Sequence, residues 1–583
     1  MRAADRVGIL DGVDRRDFFR SSLLAAGPLI AGTRTPRTTA AILQRQSPAG
    51  MPSTARERLV VRGGLVFDGT GAAPIEADLL LDGDRISRIA SRIDAAGIPA
   101  IDARGMAVAP GFIDIHSHTD TVLLGYPDAE SKIRQGVTTE IAGQDGSSVG
   151  PSTPERAARL REQYRSEAGI DVDVSTLGSF LRSIRSRGAS INLASMVGAG
   201  TIRGLVVGQD DRPASPQEIE RMVALVSEAL SEGACGVSSG LEYSPGGFAS
   251  RDELAALASP LRGTGLPYAS HMRNEDDSLL AAIEEALYVG RTAGVAVQIS
   301  HLKAQGERNW WKSGPALGTI EAARAAGLDV MFDRYPYIAY STGLSNLFPL
   351  ALRDGGTDAF IERLRDPSLK AGVEAAVRDK IAQLGSWDAV QITSTGNESL
   401  AWARGRRVGS LAAERGVEPY ALLLQIMIED QSRTGMVGFG MSEANTERIL
   451  SHQQCMICSD GSALAVSGAL ARGSPHPRSF GTFPRVLGHY VRERGILSLE
   501  MAIHKMTGMP AARLRLRGRG LIAAGAFADL VVFDPDRVAD RATFESPFQY
   551  PAGIHHVIVN GVPVIQEGEH TRARAGRVLV PGE

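Results

Sequence analysis

Eight short apolar runs rich in β-branched residues recur along the chain, at 109–115, 137–142, 191–197, 236–239, 267–270, 295–300, 328–332 and 455–459. Most gaps between them carry helical patterns; in 277–287, for example, apolar side chains fall at i, i+3 and i+4, the spacing of one helix face. Parallel strands can be joined only through long crossovers, usually helices, so this alternation predicts an α/β fold built on a parallel (β/α)8 TIM barrel. The gap from about 342 to 450, between the seventh and eighth runs, is too long for one crossover. It predicts an inserted subdomain able to cover the barrel mouth.

The flanks have a different texture. Segments 59–102 and 526–580 hold short alternating strands with tight turns such as Leu81-Asp82-Gly83-Asp84. They predict a small β-sandwich domain assembled from both ends of the chain, with 56–108 as its first part, 516–583 as its second, and the barrel at 109–515 between them. With 43% hydrophobic and 22% charged residues, the 583-residue chain fits a large globular unit plus a smaller one. A net charge of -3 supplies no basic field for a phosphate backbone, which excludes nucleic acid as the expected partner.

Residues 1–50 read as a leader. Asp14-Arg15-Arg16-Asp17-Phe18-Phe19-Arg20 is a twin-arginine pattern followed by a mildly apolar run over 21–32, which Gly27 and Pro28 interrupt and which is too short to span a bilayer. The expectation is a twin-arginine signal that exports the protein, folded, to the periplasm or beyond. A chance arginine pair before a short helix is the bland alternative. An oxidising destination raises the question of disulfides among Cys235, Cys455 and Cys458. Cys455 and Cys458 lie at i and i+3 of a run read as a strand, so they face opposite sides and are expected to be small buried hydrophobes rather than a bridge or a chelate.

Chemistry on such a barrel is carried at the C-terminal ends of the strands. His116 and His118 close the first run, and side chains at i and i+2 of a strand share one side, so both imidazoles can grip one ion. Asp145 follows the second run, His271 ends the fifth, His301 the sixth and Asp460 the eighth. Of the 11 histidines in the chain, four fall at such ends, which favours a metal centre over satisfied core histidines.

From about residue 58 to its end the chain resembles the amidohydrolase superfamily and, within it, the N-acyl-D-amino-acid deacylases. The likeness rests on 110–118, Gln135-Gly136-Val137-Thr138-Thr139, Ser238-Ser239-Gly240-Leu241-Glu242-Tyr243, Ser270-His271-Met272-Arg273-Asn274-Glu275, Ile299-Ser300-His301-Leu302-Lys303, Tyr335-Pro336-Tyr337, Ser459-Asp460-Gly461 and 476–488. The resemblance implies that His116, His118, Asp145, His271 and His301 hold one or two divalent ions, zinc foremost, and that Asp460 is the catalytic carboxylate. It also implies that Lys303, Tyr335, Ser341 and Arg478 hold the carboxylate of the amino-acid half, for which an ammonium and a bidentate guanidinium are suited. Two positions depart from the family pattern: Asp145 stands where a cysteine thiolate is usual, and Ala199 where histidine is common. No lysine lies between Lys132 and Lys303, so the carbamylated lysine of hydantoinase-type relatives has no counterpart.

The expected activity is hydrolysis of N-acyl-D-amino acids to a D-amino acid and a carboxylate, acting on a small-molecule substrate without a stable membrane span. Two other readings stay open on the sequence. A cyclic-amide or D-dipeptide hydrolase would share the same metal set, and a non-catalytic binding protein could retain the barrel.

Overall fold

The computed structural model describes residues 58–582, so the twin-arginine segment lies outside the described residues. Within them the barrel is built from Phe112–Asp114, Val137–Ala142, Asn192–Ser195 continued by Val197–Gly198, Val237–Gly240, Pro267–His271, Ala296–Ile299, Val330–Arg334 and Cys455–Ile457. All neighbouring pairs are parallel, and the third strand breaks at Met196, so the ladders divide into a three-stranded and a six-stranded set. Among the described residues no ladder joins the first strand to the eighth. That seam is closed by single bonds: Asp460 N donates to His116 O (2.9 Å), His118 N to Gly461 O (3.0 Å), and Ser459 N to the Asp114 carboxylate (2.8 Å).

The strands are apolar on both faces because both faces are covered. Phe112 points outward, stacked on Phe483 at 5.7 Å and tilted against Phe533 at 6.3 Å, whereas Ile113 and Ile115 point inward to join Ile141, Met196 and Met456. The same alternation places Cys455 in the outer apolar cluster and Cys458 in the inner one. All three cysteines are buried free thiols, and burial pushes that of Cys455 up to about 12, which keeps it inert.

The run at 109–115 is divided between two sheets. Ala107–Pro110 pairs with Arg58–Val66 and Leu530–Phe533 in a separate nine-stranded sheet drawn from both ends of the described chain, and only Phe112–Asp114 enters the barrel. Gly111 makes the crossing possible, since a side chain there would meet Thr138 at 2.2 Å. Leu79 and Leu81 from the first part share one apolar cluster with Leu530, Val532 and Ile558 from the second, so the sheet curls and packs on itself in the manner of a sandwich.

Between the seventh and eighth barrel strands, Ala339–Gly343, Val390–Ser394 and Gly435–Phe439 form an antiparallel sheet flanked by helices Gly356–Arg365, Lys370–Leu384, Val408–Arg415 and Pro419–Glu429. This sheet starts at Ala339, so Ser341 belongs to the insert and pairs with Val437. Insert residues Phe348, Phe360 and Leu423 share the apolar cluster that fills the barrel interior. Two cations fasten the insert to the rim: half-buried Lys380 pairs with Asp276, and buried Arg353 donates to the Glu242 carbonyl at 2.9 Å. No helix among the described residues is long and apolar enough to cross a membrane.

Because Phe112 is fully buried and links the barrel to the small sheet through Phe533, Phe112→Ala is expected to cost about 3–5 kcal/mol. The measurement is the denaturant midpoint of unfolding, with exposed Trp311→Ala, expected within about 0.5 kcal/mol of the parent, as the reference.

Candidate metal centre

Five strand ends deliver their donors to one rim. His116 and His118 leave the first strand, Asp145 follows the second, His271 closes the fifth, His301 follows the sixth and Asp460 follows the eighth. Asp145, His301 and Asp460 all have left-handed backbones (φ 53°, 36° and 50°), which few non-glycine residues adopt and which turn each side chain back over the barrel mouth.

Asp145 lies at the centre. Its Oδ1 is 3.3 Å from His116 Nε2 and 3.5 Å from His301 Nε2, and its Oδ2 is 3.4 Å from His118 Nε2 and 3.5 Å from His271 Nδ1. Each oxygen therefore faces one imidazole of each pair. Two donor sets result, His116, His118, Asp145 and Asp460 in one, Asp145, His271 and His301 in the other, with Asp145 common to both.

Behind the histidines stand carboxylates that the sequence reading gave no role. Asp333 is 3.5 Å from His116 Nδ1, Glu275 is 2.9 Å from His301 Nδ1, and Glu242 is 3.3 Å from His271 Nε2. Glu242 and Glu275 lie inside motifs already singled out, and Asp333 is a lone carboxylate in the apolar strand Val330–Arg334, which was the available signal. Glu242 and Glu275 orient the His271 and His301 rings from outside, and Asp333 adds negative charge beside His116.

That arrangement fits a cation. His271 Nδ1 and His301 Nε2 are 2.8 Å apart and each lies 3.5 Å from an Asp145 oxygen, so two rings and a carboxylate converge on one point. Among the described residues, neither ring nitrogen of fully buried His116 has a hydrogen-bond partner. Imidazole nitrogen with carboxylate oxygen is the donor set of a zinc-type divalent ion.

Asp460 is placed for proton work. Burial alone would raise its carboxyl, but Arg478 and the imidazoles of His301, His118 and His116 hold it well below the usual carboxylate range. Arg478 donates to its Oδ2 at 2.7 Å, and its Oδ1 is 2.9 Å from His118 Nε2. His476, kept neutral by burial and by Arg478, accepts from the Arg478 main-chain N–H at 3.0 Å and donates from Nε2 to Ala339 O at 2.9 Å, so it ties the guanidinium's loop to the insert.

The expected substrate-binding residues separate into two groups. Ser341 and Arg478 line a cavity of about 70 Å³ with His118, Asp460, Leu464 and His476. Lys303 and Tyr335 lie deeper: the ammonium meets Glu275 (2.5 Å), His301 Nδ1 (2.6 Å) and the His301 carbonyl (3.1 Å), and the buried Tyr335 hydroxyl has no hydrogen-bond partner among the described residues, its ring lying 5.0 Å from the Arg478 guanidinium carbon. Ala199 opens the helix Ala199–Val206 and is buried in a turn where Thr201 N donates to Gly146 O, next to Asp145.

A sequence profile described as the amidohydrolase family matches residues 100–239 and 470–565. A D-aminoacylase of Alcaligenes xylosoxydans xylosoxydans is 40% identical over 528 residues, covering 89% of this chain and 97% of that protein. The chain belongs to the amidohydrolase superfamily, in its N-acyl-D-amino-acid deacylase branch. Solved members of the branch superpose over nearly their whole length. One is a D-aminoacylase whose binuclear metal centre has been studied (37% identity, TM-score 0.74, covering 90% of this chain and 99% of that one). Another is the N-acyl-D-glutamate deacylase of Bordetella bronchiseptica, complexed with zinc and a phosphonate mimic of the tetrahedral intermediate (32% identity, TM-score 0.74, covering 90% and 100%).

If Glu275 orients His301 as the geometry indicates, Glu275→Gln weakens metal retention about 10–100-fold. Equilibrium dialysis against a graded chelator, with metal per chain as the readout, checks this deacylase-branch site.

Proposed function

We propose that this protein is a metal-dependent deacylase that hydrolyses N-acyl-D-amino acids. The observation that carries the reading is the convergence of four imidazoles on Asp145 beside the buried Asp460–Arg478 pair, in a chain 40% identical to a D-aminoacylase. The D configuration rests on the relatives.

His116, His118, Asp145, His271 and His301 would hold zinc or a similar divalent ion, in one or two positions, since the two donor sets overlap at Asp145. When bound, such an ion acidifies water and polarises an amide carbonyl. The rest of the chemistry falls to the chain's own groups. Asp460 accepts a proton from the attacking water and returns it to the amide nitrogen, so that the C–N bond breaks with a neutral amine leaving. Arg478 keeps Asp460 ionised at neutral pH and, with Ser341, presents donors to the substrate carboxylate along the cavity wall. Lys303 adds positive charge from beneath while holding Glu275 in place.

Export by the twin-arginine route is part of the same proposal and is supported by Arg15-Arg16 with the apolar run after it. Such export moves the folded chain, which suits a site loaded before translocation.

Asp460→Asn is expected to retain metal and lose at least about 100-fold in kcat, within the range of general acid–base contributions. His301→Ala is expected to lose both metal and turnover. A screen of paired N-acetyl-D- and N-acetyl-L-amino acids, with metal analysis of the same samples, tests both claims. Turnover of the L-series alone would overturn the stereochemical part, and normal turnover by Asp460→Asn the proton-transfer part.

A further inference from the structure

Lys132 is fully buried on the short helix Glu130–Ile133, between the first and second barrel strands, and the deacylase reading gives it no task. Its ammonium meets four oxygens: Glu140 Oε1 at 2.6 Å, Ser459 Oγ at 2.7 Å, Asp114 Oδ2 at 2.8 Å and Gly461 O at 2.9 Å. These belong to the first strand, the second strand and the segment directly after the eighth. Ser459 Oγ in turn donates to Asp114 at 2.5 Å and accepts from Gly461 N at 3.0 Å. Thr119 Oγ1 donates to Glu140 at 3.0 Å and accepts from Ala463 N at 3.1 Å. The cluster sits on the seam that no ladder closes, and Asp460 lies between two of its members in sequence.

We propose that Lys132 is a positioning residue for the proton-transferring carboxylate: by gripping Ser459 and Gly461 on either side of Asp460 and anchoring them to Asp114 and Glu140, it fixes Asp460 over the metal donors. The inference rests on the role given to Asp460 above. Asp460 has a left-handed backbone (φ 50°), a conformation that relaxes unless its neighbours hold it. Gly461 O is also the acceptor for His118 N (3.0 Å), and His116 O the acceptor for Asp460 N (2.9 Å), so the same few bonds set Asp460 against both histidines of the first strand. A seam closed by a side-chain cluster can shift by a fraction of an ångström when the cluster is altered, and misplacement of about 1 Å costs on the order of 100-fold in rate.

The test separates positioning from charge balance. Asp114, Glu140 and Lys132 carry a formal charge of -1 together, and in Lys132→Met/Glu140→Gln Asp114 alone carries the same -1. Lys132→Met by itself is expected to lower Tm, because two buried carboxylates lose their cation. The double variant is expected to recover most of that Tm and to keep its metal. Its kcat on the best N-acetyl-D-amino acid is expected to stay at least about 10-fold below the parent, with KM within about 3-fold. A double variant with parental kcat would overturn the proposal, as would a fall in kcat matched by an equal fall in metal or folded protein. Should neither variant fold, Ser459→Ala removes the hydroxyl link without changing charge, and it is expected to lower kcat several-fold at constant KM; unchanged kcat overturns the idea there too. Asp460→Asn, run alongside, distinguishes the two levels. If it turns over normally, the assignment of Asp460 fails; if it is inactive while the double variant is fully active, only the role of Lys132 fails.

Discussion

A parallel barrel brings every strand's C-terminal end to one rim, and in this chain that rim is charged and buried at once. Asp145, Asp333, Asp460 and Glu275 are each at most 4% exposed, and an isolated buried carboxylate is costly enough that none could stand alone. Compensation comes from the four imidazoles, from Lys303 and from Arg478, each touching at least one carboxylate. Burial opposes ionised imidazoles, but Asp145 and the other carboxylates around them push His271 up to about 9 and His116 well above the usual imidazole value, so these rings bring positive charge to the rim. Metal binding and the integrity of the rim are in this sense one problem. The backbone pays into it as well: left-handed Asp145, His301 and Asp460 cost of order 1–3 kcal/mol each, which the apolar packing of strands against helices must offset.

The barrel was legible because its strands are covered on both faces and read as continuous apolar runs, and because helix Leu279–Ala293 shows its buried stripe openly. The histidines were legible because each follows such a run. What stayed hidden is non-local. The split of 109–115 at Gly111 depends on Pro110 pairing with Leu530, a partner that no local pattern announces. The carboxylates behind the histidines carry no spacing signature either, since Asp333 meets His116 from a distant strand. Ser341 was singled out through the family resemblance alone, and its place on the insert's first strand became visible only with the pairing to Val437.

That placement changes how the insert is understood. Ser341 lines the cavity from the insert, Arg478 from the segment after the eighth strand, and His476 joins the two by bonding Ala339 O and Arg478 N at once. The insert is also fixed at the opposite side of the mouth through Lys380 and Arg353. Cavity-lining groups on the insert are therefore registered against Asp460 through short polar links, and the shared apolar cluster leaves the insert little freedom to rock as a separate body.

Asp145 gives this branch member a different centre from one built on thiolate. A sulfur can bridge two ions only through a single atom, which ties their separation to two bonds at that atom. Asp145 offers two oxygens, and each faces one imidazole of the His116–His118 pair and one of the His271–His301 pair. A carboxylate so placed faces both donor sets, and its oxygens would offer any ion held there harder ligands than sulfur. Asp145 also sits among four imidazoles, within 3.3–3.5 Å of each, so one carboxylate links the rings of both pairs.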